Sequence, residues 1–233
     1  MIMSLKALSA LLSYPSTELQ QAGDELRQAL AQDPLLSQEM VEGLAPLIEA
    51  LEQGDIYDLQ EVYVMLFDRS RSLSLNLFEH VHGESRARGS AMVDLLENYR
   101  AAGFEPQTSE LPDHIPVLLE FLAMRPVDEA QEVLADAAHI FEVLRTRLAR
   151  RDSLYAAAFA ALLHISATVP DQEAVAELLA VEEDDPNDLE ALDEVWEDSE
   201  VTFGPDPNAG CPQVRDMLAN MDTPRNPPPA AAQ

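Results

Sequence analysis

One cysteine, Cys211, is all the thiol chemistry in the chain. It excludes an intramolecular disulfide and any metal knuckle built on several cysteines. Basic residues are scarce as well: 14 Lys+Arg stand against 43 Asp+Glu, for a formal net charge of −29. A field of that sign opposes phosphate backbones and disfavours nucleic acid as a partner. It favours a basic partner, or serves solubility alone. No apolar run is long enough to span a bilayer. The apolar stretch at the start is short, carries one Lys and runs straight into helix-like sequence, so a soluble cytoplasmic protein is expected rather than a secreted one. A Gly-rich phosphate loop, a G-x-S-x-G elbow and a Cys–His pair with an orienting group are also missing, which leaves an enzyme reading with little to stand on.

Apolar residues make up 47% of the 233, enough for a real core in one large or two small domains. The acidic excess is uneven. Residues 1–170 hold 12 Lys+Arg and 26 Asp+Glu, a net of −14; residues 171–233 hold 2 and 17, a net of −15. Half of the charge therefore sits on the last quarter of the chain, and residues 152–214 contain no Lys or Arg.

Helical spacing dominates. Leu5, Leu8, Leu11 and Leu12 mark a first helix, which Tyr14-Pro15 ends. Ser16 or Thr17 caps a second, with Leu19, Ala22, Leu26, Ala29 and Leu30 inward and Pro34 as its stop. Met40, Leu44, Leu47, Ile48 and Leu51 stripe a third, in which Pro46 predicts a kink or a break. After Asp55, residues Ile56, Leu59, Tyr63, Leu66 and Phe67 share one face. That face is either ordinary core or, toward its end, the wall of a groove.

The stretch 61–96 mixes apolar, acidic, basic and imidazole groups more densely than any other. Residues 72–78 alternate as a strand would, but nothing else in the chain alternates. An isolated strand leaves its backbone groups unpaired, so a loop or short irregular helix is expected. Glu79, His80, His82 and Glu84 follow. An H-x-H pair with nearby carboxylates invites a metal reading, yet no third ligand is identifiable from spacing, and histidines packing a turn or lining a binding surface fit equally. A helix over 85–99 turns Met92, Leu95, Leu96 and Tyr99 inward, with Gly103 as its stop. From 115 to 124 the only charge is Glu120, so this helix is expected to be central, with Glu120 either paired or facing a groove. Asp113 suits its N-terminus.

Beyond Pro126 two helices are expected. Val133, Ala137, Ile140, Phe141, Leu144 and Leu148 stripe the first, whose end carries Arg145, Arg147, Arg150 and Arg151, suited to the helix dipole. Tyr155, Ala158, Phe159 and Leu162 stripe the second, with His164 in the core. Residues 172–181 allow another helix. Leu189, Leu192, Val195 and Trp196 then recur at helical spacing, as a last core helix or as a lid over the groove. Residues 205–212 and 224–233 are Pro-rich or low-complexity.

The runs 61–96, above all LFEHVHGESRARGSAMVDLL, and ELPDH at 110–114 resemble the NarJ family of nitrate reductase assembly chaperones. That family is itself similar to the wider TorD/DmsD group of redox-enzyme maturation proteins. The resemblance covers roughly residues 1–200. It implies an all-α, single-domain helical bundle of the TorD-like type over 1–200, followed by an acidic, Pro-rich tail over 201–233. It also implies a chaperone with no catalytic residues, metal or cofactor of its own. Such a chaperone binds the apolar, basic N-terminal leader of the catalytic subunit NarG. It holds the apoenzyme for insertion of the molybdenum cofactor before membrane docking. In DmsD-like relatives an aromatic-x-x-Leu-Phe motif and an Asp-His pair take part in leader binding; Tyr63, Leu66 and Phe67 match the first, Asp113 and His114 the second. The relatives often carry Trp where this chain has Tyr63. Glu79, His80, His82 and Glu84 resemble the NarJ version of the central motif.

The expected arrangement is an amphipathic leader helix laid on Tyr63, Leu66 and Phe67. Its basic residues meet Asp68, Glu79, Glu84 and Asp113, and Glu120 is another candidate. Affinity is expected to change between about pH 6 and 8 through His80, His82 and His114, in a direction the sequence leaves open. The alternatives are a metal-dependent hydrolase built on the 79–84 cluster and an acidic adaptor for some other basic peptide.

Overall fold

Two apolar helices, α1 (Met3–Leu11) and α8 (Ile115–Ala123), lie antiparallel against one another. The Ile2 N–H donates to Ala123 O at 2.7 Å at one end, and the Ser9 hydroxyl donates to Pro116 O at 2.8 Å at the other. Leu5, Leu8, Leu11 and Leu12 are fully buried. Seven of the nine residues of α8 are buried as well, the central position expected for a helix apolar all round. A computed structural model describes residues 1–82 and 86–181, with the side chains of 82, 86 and 87 set apart. All the elements named below lie in those residues.

Between the paired helices come α2 (Thr17–Gln21), α3 (Gly23–Gln32), α4 (Gln38–Gln53), α5 (Ile56–Tyr63), α6 (Leu77–His82) and α7 (Arg86–Ala101). After α8 follow α9 (Val127–Asp136), α10 (Ala138–Arg150), α11 (Ala156–Ser166) and α12 (Gln172–Ala180). No strand forms among the described residues beyond one antiparallel bridge, Asn76 to His114. The fold is all-α. No described helix is long and apolar enough to cross a membrane. One apolar core runs from Ile2 to Ile165, and α11 stands inside it, touching α1, α4, α9 and α10.

Local signals set most boundaries. Ser16, Ser37, Asp55 and Asp171 cap their helices by accepting N–H groups of the first turn. Gly103, at φ +75°, follows α7 in the left-handed region that glycine tolerates.

Four expectations need correction. The single helix expected from Ser16 onward is two, because the chain turns at Ala22 (φ −88°, ψ 6°). Gly23 then passes under Glu52, which pairs with Arg27, and a side chain there would collide with it. Of the kink or break expected at Pro46, the break does not occur: α4 runs on through it. Pro46 lies on the exposed side, as does Glu42, whose carbonyl loses its helical donor to the proline. The stripe beginning at Val133 is likewise split at Ala137, and Val133 itself is exposed. His164 is exposed rather than in the core. Arg147 also departs from its neighbours at the end of α10: it is buried and donates to Ser72 O (2.8 Å), Leu178 O (2.7 Å) and Val181 O (3.4 Å). The segment 189–196, read as lid or last helix, lies outside the described residues, as do the tail and Glu84.

Candidate functional site

The site begins where α5 stops being an α-helix. Residues Val64–Asp68 wind as a π-helical turn, a wider turn often found at functional positions. Even so, Tyr63, Leu66 and Phe67 all pack against the core, on the one face that α spacing predicts. Tyr63 stays at the seam with α1, its hydroxyl donating to Leu12 O at 2.9 Å. Phe67 goes inward, behind it, with ring centroids 4.9 Å apart, and Tyr155 packs 5.1 Å beyond Phe67. Tyr14 closes edge-on from the solvent side, 5.5 Å from Tyr63.

A short 3-10 turn, Arg71–Leu73, leads to α6. The alternating residues 72–78 thus form a short irregular helix and loop, and their backbone finds partners from four directions. Arg147 donates to Ser72 O, and His80 Nε2 donates to Ser74 O at 2.8 Å. The Ile115 N–H donates to Leu75 O at 2.8 Å. Asp113 accepts twice: Leu77 N–H on its carbonyl at 3.1 Å, and Phe78 N–H on Oδ2 at 2.9 Å. Asp113 therefore caps α6 from 35 residues away. The loop before α8 is the pairing partner that no alternation pattern announces.

This lacing carries His114 and Glu110 to the side of Asp68. With Tyr63, Glu120 on α8, Lys6 on α1, Glu18 on α2 and Tyr14 between those two helices, they line a cavity of about 660 Å³. Its floor is apolar (Ala10, Leu19, Val117) and its rim carries four carboxylates and one ammonium. Of the eleven predicted site residues, Tyr63, Asp68, His114 and Glu120 reach this wall. Leu66, Phe67, Glu79, His80 and Asp113 do not. Phe67 and Asp113 are buried, Leu66 is half-buried against the core, and Glu79 pairs with Arg88 at 2.9 Å. Glu84 and the side chain of His82 lie outside the described residues. Sequence reasoning missed Tyr14, Glu110, Glu18 and Lys6. Tyr14, an exposed aromatic just before a proline, was the legible one among them.

Burial shapes the electrostatics. It raises the Asp113 carboxyl, against the Phe78 N–H and the Arg88 guanidinium, which lower it. Asp68 is exposed by area but sits in a concave wall; lost hydration raises its carboxyl, Glu110 adds to this, and His114 opposes it. His114 is lowered by burial, with Glu110, Asp113 and Asp68 resisting. His80 is also lowered by burial, against its bond to Ser74 O. At neutral pH both imidazoles are thus uncharged. His114 Nδ1 is buried with no hydrogen-bond partner among the described residues.

The metal reading of the 79–84 cluster loses two of its groups here, since His80 Nε2 is held by Ser74 O and Glu79 by Arg88. A second cavity, of about 590 Å³ beside Met1, Met3, Asp33 and Val127, contains none of the predicted residues.

Residues 16–161 match the nitrate reductase delta subunit family. The chain belongs to that family. Over 209 residues it is 44% identical to the nitrate reductase molybdenum cofactor assembly chaperone NarJ of Escherichia coli K12, covering 90% of this chain and 88% of that protein. A probable chaperone of the same kind, NarW of E. coli K12, is 36% identical over 209 residues, covering 89% and 86%. The fold is similar to that of a putative redox enzyme maturation protein from Archaeoglobus fulgidus. That chain is 26% identical, with a TM-score of 0.51, over 70% of this chain and 91% of that one. As a delta-subunit family member the chain is grouped with proteins named for assembly rather than for catalysis. The resemblance first noted in LFEHVHGESRARGSAMVDLL and ELPDH thus extends through most of the chain.

Proposed function

We propose that the chain is an assembly chaperone of nitrate reductase that binds the N-terminal leader of the catalytic subunit NarG in the Tyr63–Asp68–His114–Glu120 cavity. It holds the apoenzyme in the cytoplasm until the molybdenum cofactor is inserted, and so delays membrane docking. The observation that carries the reading is the cavity itself. An aromatic and aliphatic floor lies under a rim of Glu18, Asp68, Glu110 and Glu120, which is the complement of an apolar, basic helix. Family membership supports the assembly role, and the relatives' names supply nitrate reductase as the partner.

Each rim pair contributes little, about 0–1 kcal/mol. Burial of the leader's apolar face on Tyr14, Tyr63, Leu19 and Val117 carries most of the affinity. The carboxylates set specificity and on-rate. Phe67, Asp113 and His80 act at one remove, by holding Tyr63 and His114 in place. No bond is made or broken in the chain.

The test is calorimetric titration of the full chain with a synthetic NarG leader peptide. A saturable, one-to-one interaction that weakens in Asp68→Asn and Glu110→Gln is expected. Absence of binding by the folded wild-type protein overturns the reading.

A further inference from the structure

Lys6 stands out on the cavity rim. It is the only lysine in the chain and, among the described residues, the only Lys or Arg on a wall that carries four carboxylates. Its side chain is exposed, and it forms no ion pair among the described residues, although Glu120 lines the same cavity. A second, smaller notch of about 120 Å³ also counts Lys6 and Glu120 in its lining, with Met1, Phe104 and Met124. The two residues therefore stand at a waist between an acidic trough and an apolar notch.

Their place along the trough follows from the antiparallel pairing of α1 and α8. Ile2 meets Ala123 and Ser9 meets Pro116, so Lys6 and Glu120 share one end. Ser13, Tyr14 and His114, with Asp68 and Glu110, share the other. From Ser13 to Lys6, and from His114 to Glu120, helical rise spans about 10 Å. The trough has a polarity: two carboxylates and a neutral imidazole at one end, Lys6 beside a single carboxylate, Glu120, at the other.

We infer that Lys6 sets the register and direction of the bound leader by pairing with one of its carboxylates. The partner is then not uniformly basic. It is an amphipathic helix whose basic residues meet Asp68 and Glu110. About two turns away, some seven residues at helical rise, it carries an Asp or Glu that meets Lys6. This rests on the leader reading given above.

The two electrostatic accounts predict opposite signs, which makes the test sharp. If only the overall field matters, replacing a cation by an anion tightens binding of a basic peptide. If Lys6 reads a carboxylate, the same change weakens it. The experiment titrates the full-length wild type, Lys6→Glu and Lys6→Gln with the cognate leader. It repeats the series with peptides in which each leader Asp or Glu is replaced in turn by Lys. Lys6 is solvent-exposed, so thermal midpoints should match wild type.

The expected result is a loss of about fivefold in Lys6→Glu, a smaller loss in Lys6→Gln, and recovery in Lys6→Glu with one charge-reversed peptide only. Equal or tighter binding of the cognate leader by Lys6→Glu overturns the inference while leaving leader binding intact. So does a leader without an acidic residue about two turns from its basic ones. Absence of binding by the wild type removes the leader reading, and this inference with it.

Discussion

Asp113 offers the sharpest distinction between contacting a ligand and holding a site together. It is fully buried, and its main-chain and side-chain oxygens receive the first two N–H groups of α6. Truncation in Asp113→Ala strands the Phe78 N–H. Loss of a cap costs about 0.5–2 kcal/mol, and a buried unsatisfied donor about 1–3. The expected destabilisation is therefore about 1–3 kcal/mol, or about 2–4 °C of melting temperature per kcal/mol for a chain of this size. Asp113→Asn keeps an oxygen acceptor and removes a charge whose burial already raises the carboxyl. It should cost less than about 1 kcal/mol. The pH dependence gives a second check. A raised native value means that the stability contribution is full below the ordinary carboxylate value and is lost as pH rises through the raised one. Asp113→Asn should abolish that decline. Urea unfolding of the three proteins across acidic pH measures both effects, and leader titration shows which variant binds. If the Asp113 charge touched the leader, Asn and Ala would weaken binding equally. Equal damage to binding by both, with stability unchanged, would sink the capping argument.

Other outcomes follow from the same geometry. Tyr14→Ala, at an exposed ring, should weaken leader binding with little loss of stability. Phe67→Ala, behind Tyr63 in the core, should cost about 3–5 kcal/mol of stability in urea unfolding. Leader affinity should fall as pH drops below about 6.5, the ordinary imidazole value. His114, lowered by burial, gains a positive charge only below that value, and Asp68, raised by burial, loses its negative one at a higher pH than an ordinary aspartate does. The first change repels a cationic peptide and the second removes an attraction, so the direction left open by the sequence is set; an affinity that does not fall at any acidic pH where the protein stays folded would refute it. Arg147→Met should cost about 1.5–3 kcal/mol, and hydrogen exchange in α12 should quicken because Arg147 holds its last carbonyls. Unchanged α12 protection would show that the helix is held otherwise.

The helices were legible because their signals are local. Leucine spacing in α1, the caps Ser16, Ser37 and Asp55, and the glycine stop at 103 each act within a few residues of the element they define. The break at Ala137 carries no turn chemistry of its own, so periodicity ran through it; at Ala22 the adjoining Gly23-Asp24 was a local breaker that the apolar stripe outweighed in the reading. Half of the site was visible in the same way. Tyr63, Asp68, His114 and Glu120 stood out by residue type and by resemblance. Glu110 and Lys6 did not, because nothing in their neighbourhoods marks them, and the aromatic before a proline at Tyr14 was passed over.

Composition, charge and periodicity by themselves determined an acidic all-helical chain with no thiol framework, and motif resemblance placed it among assembly chaperones. Only the tertiary structure decided that Phe67 and Asp113 serve from inside while Tyr14 and Lys6 face the cavity. The reason is physical. A side chain's depth depends on what packs over its helix from elsewhere in the chain, and a buried backbone must find partners wherever they lie. Residues 72–78 found theirs in Asp113, Ile115 and Arg147. Neither event leaves a trace within a window of a few residues.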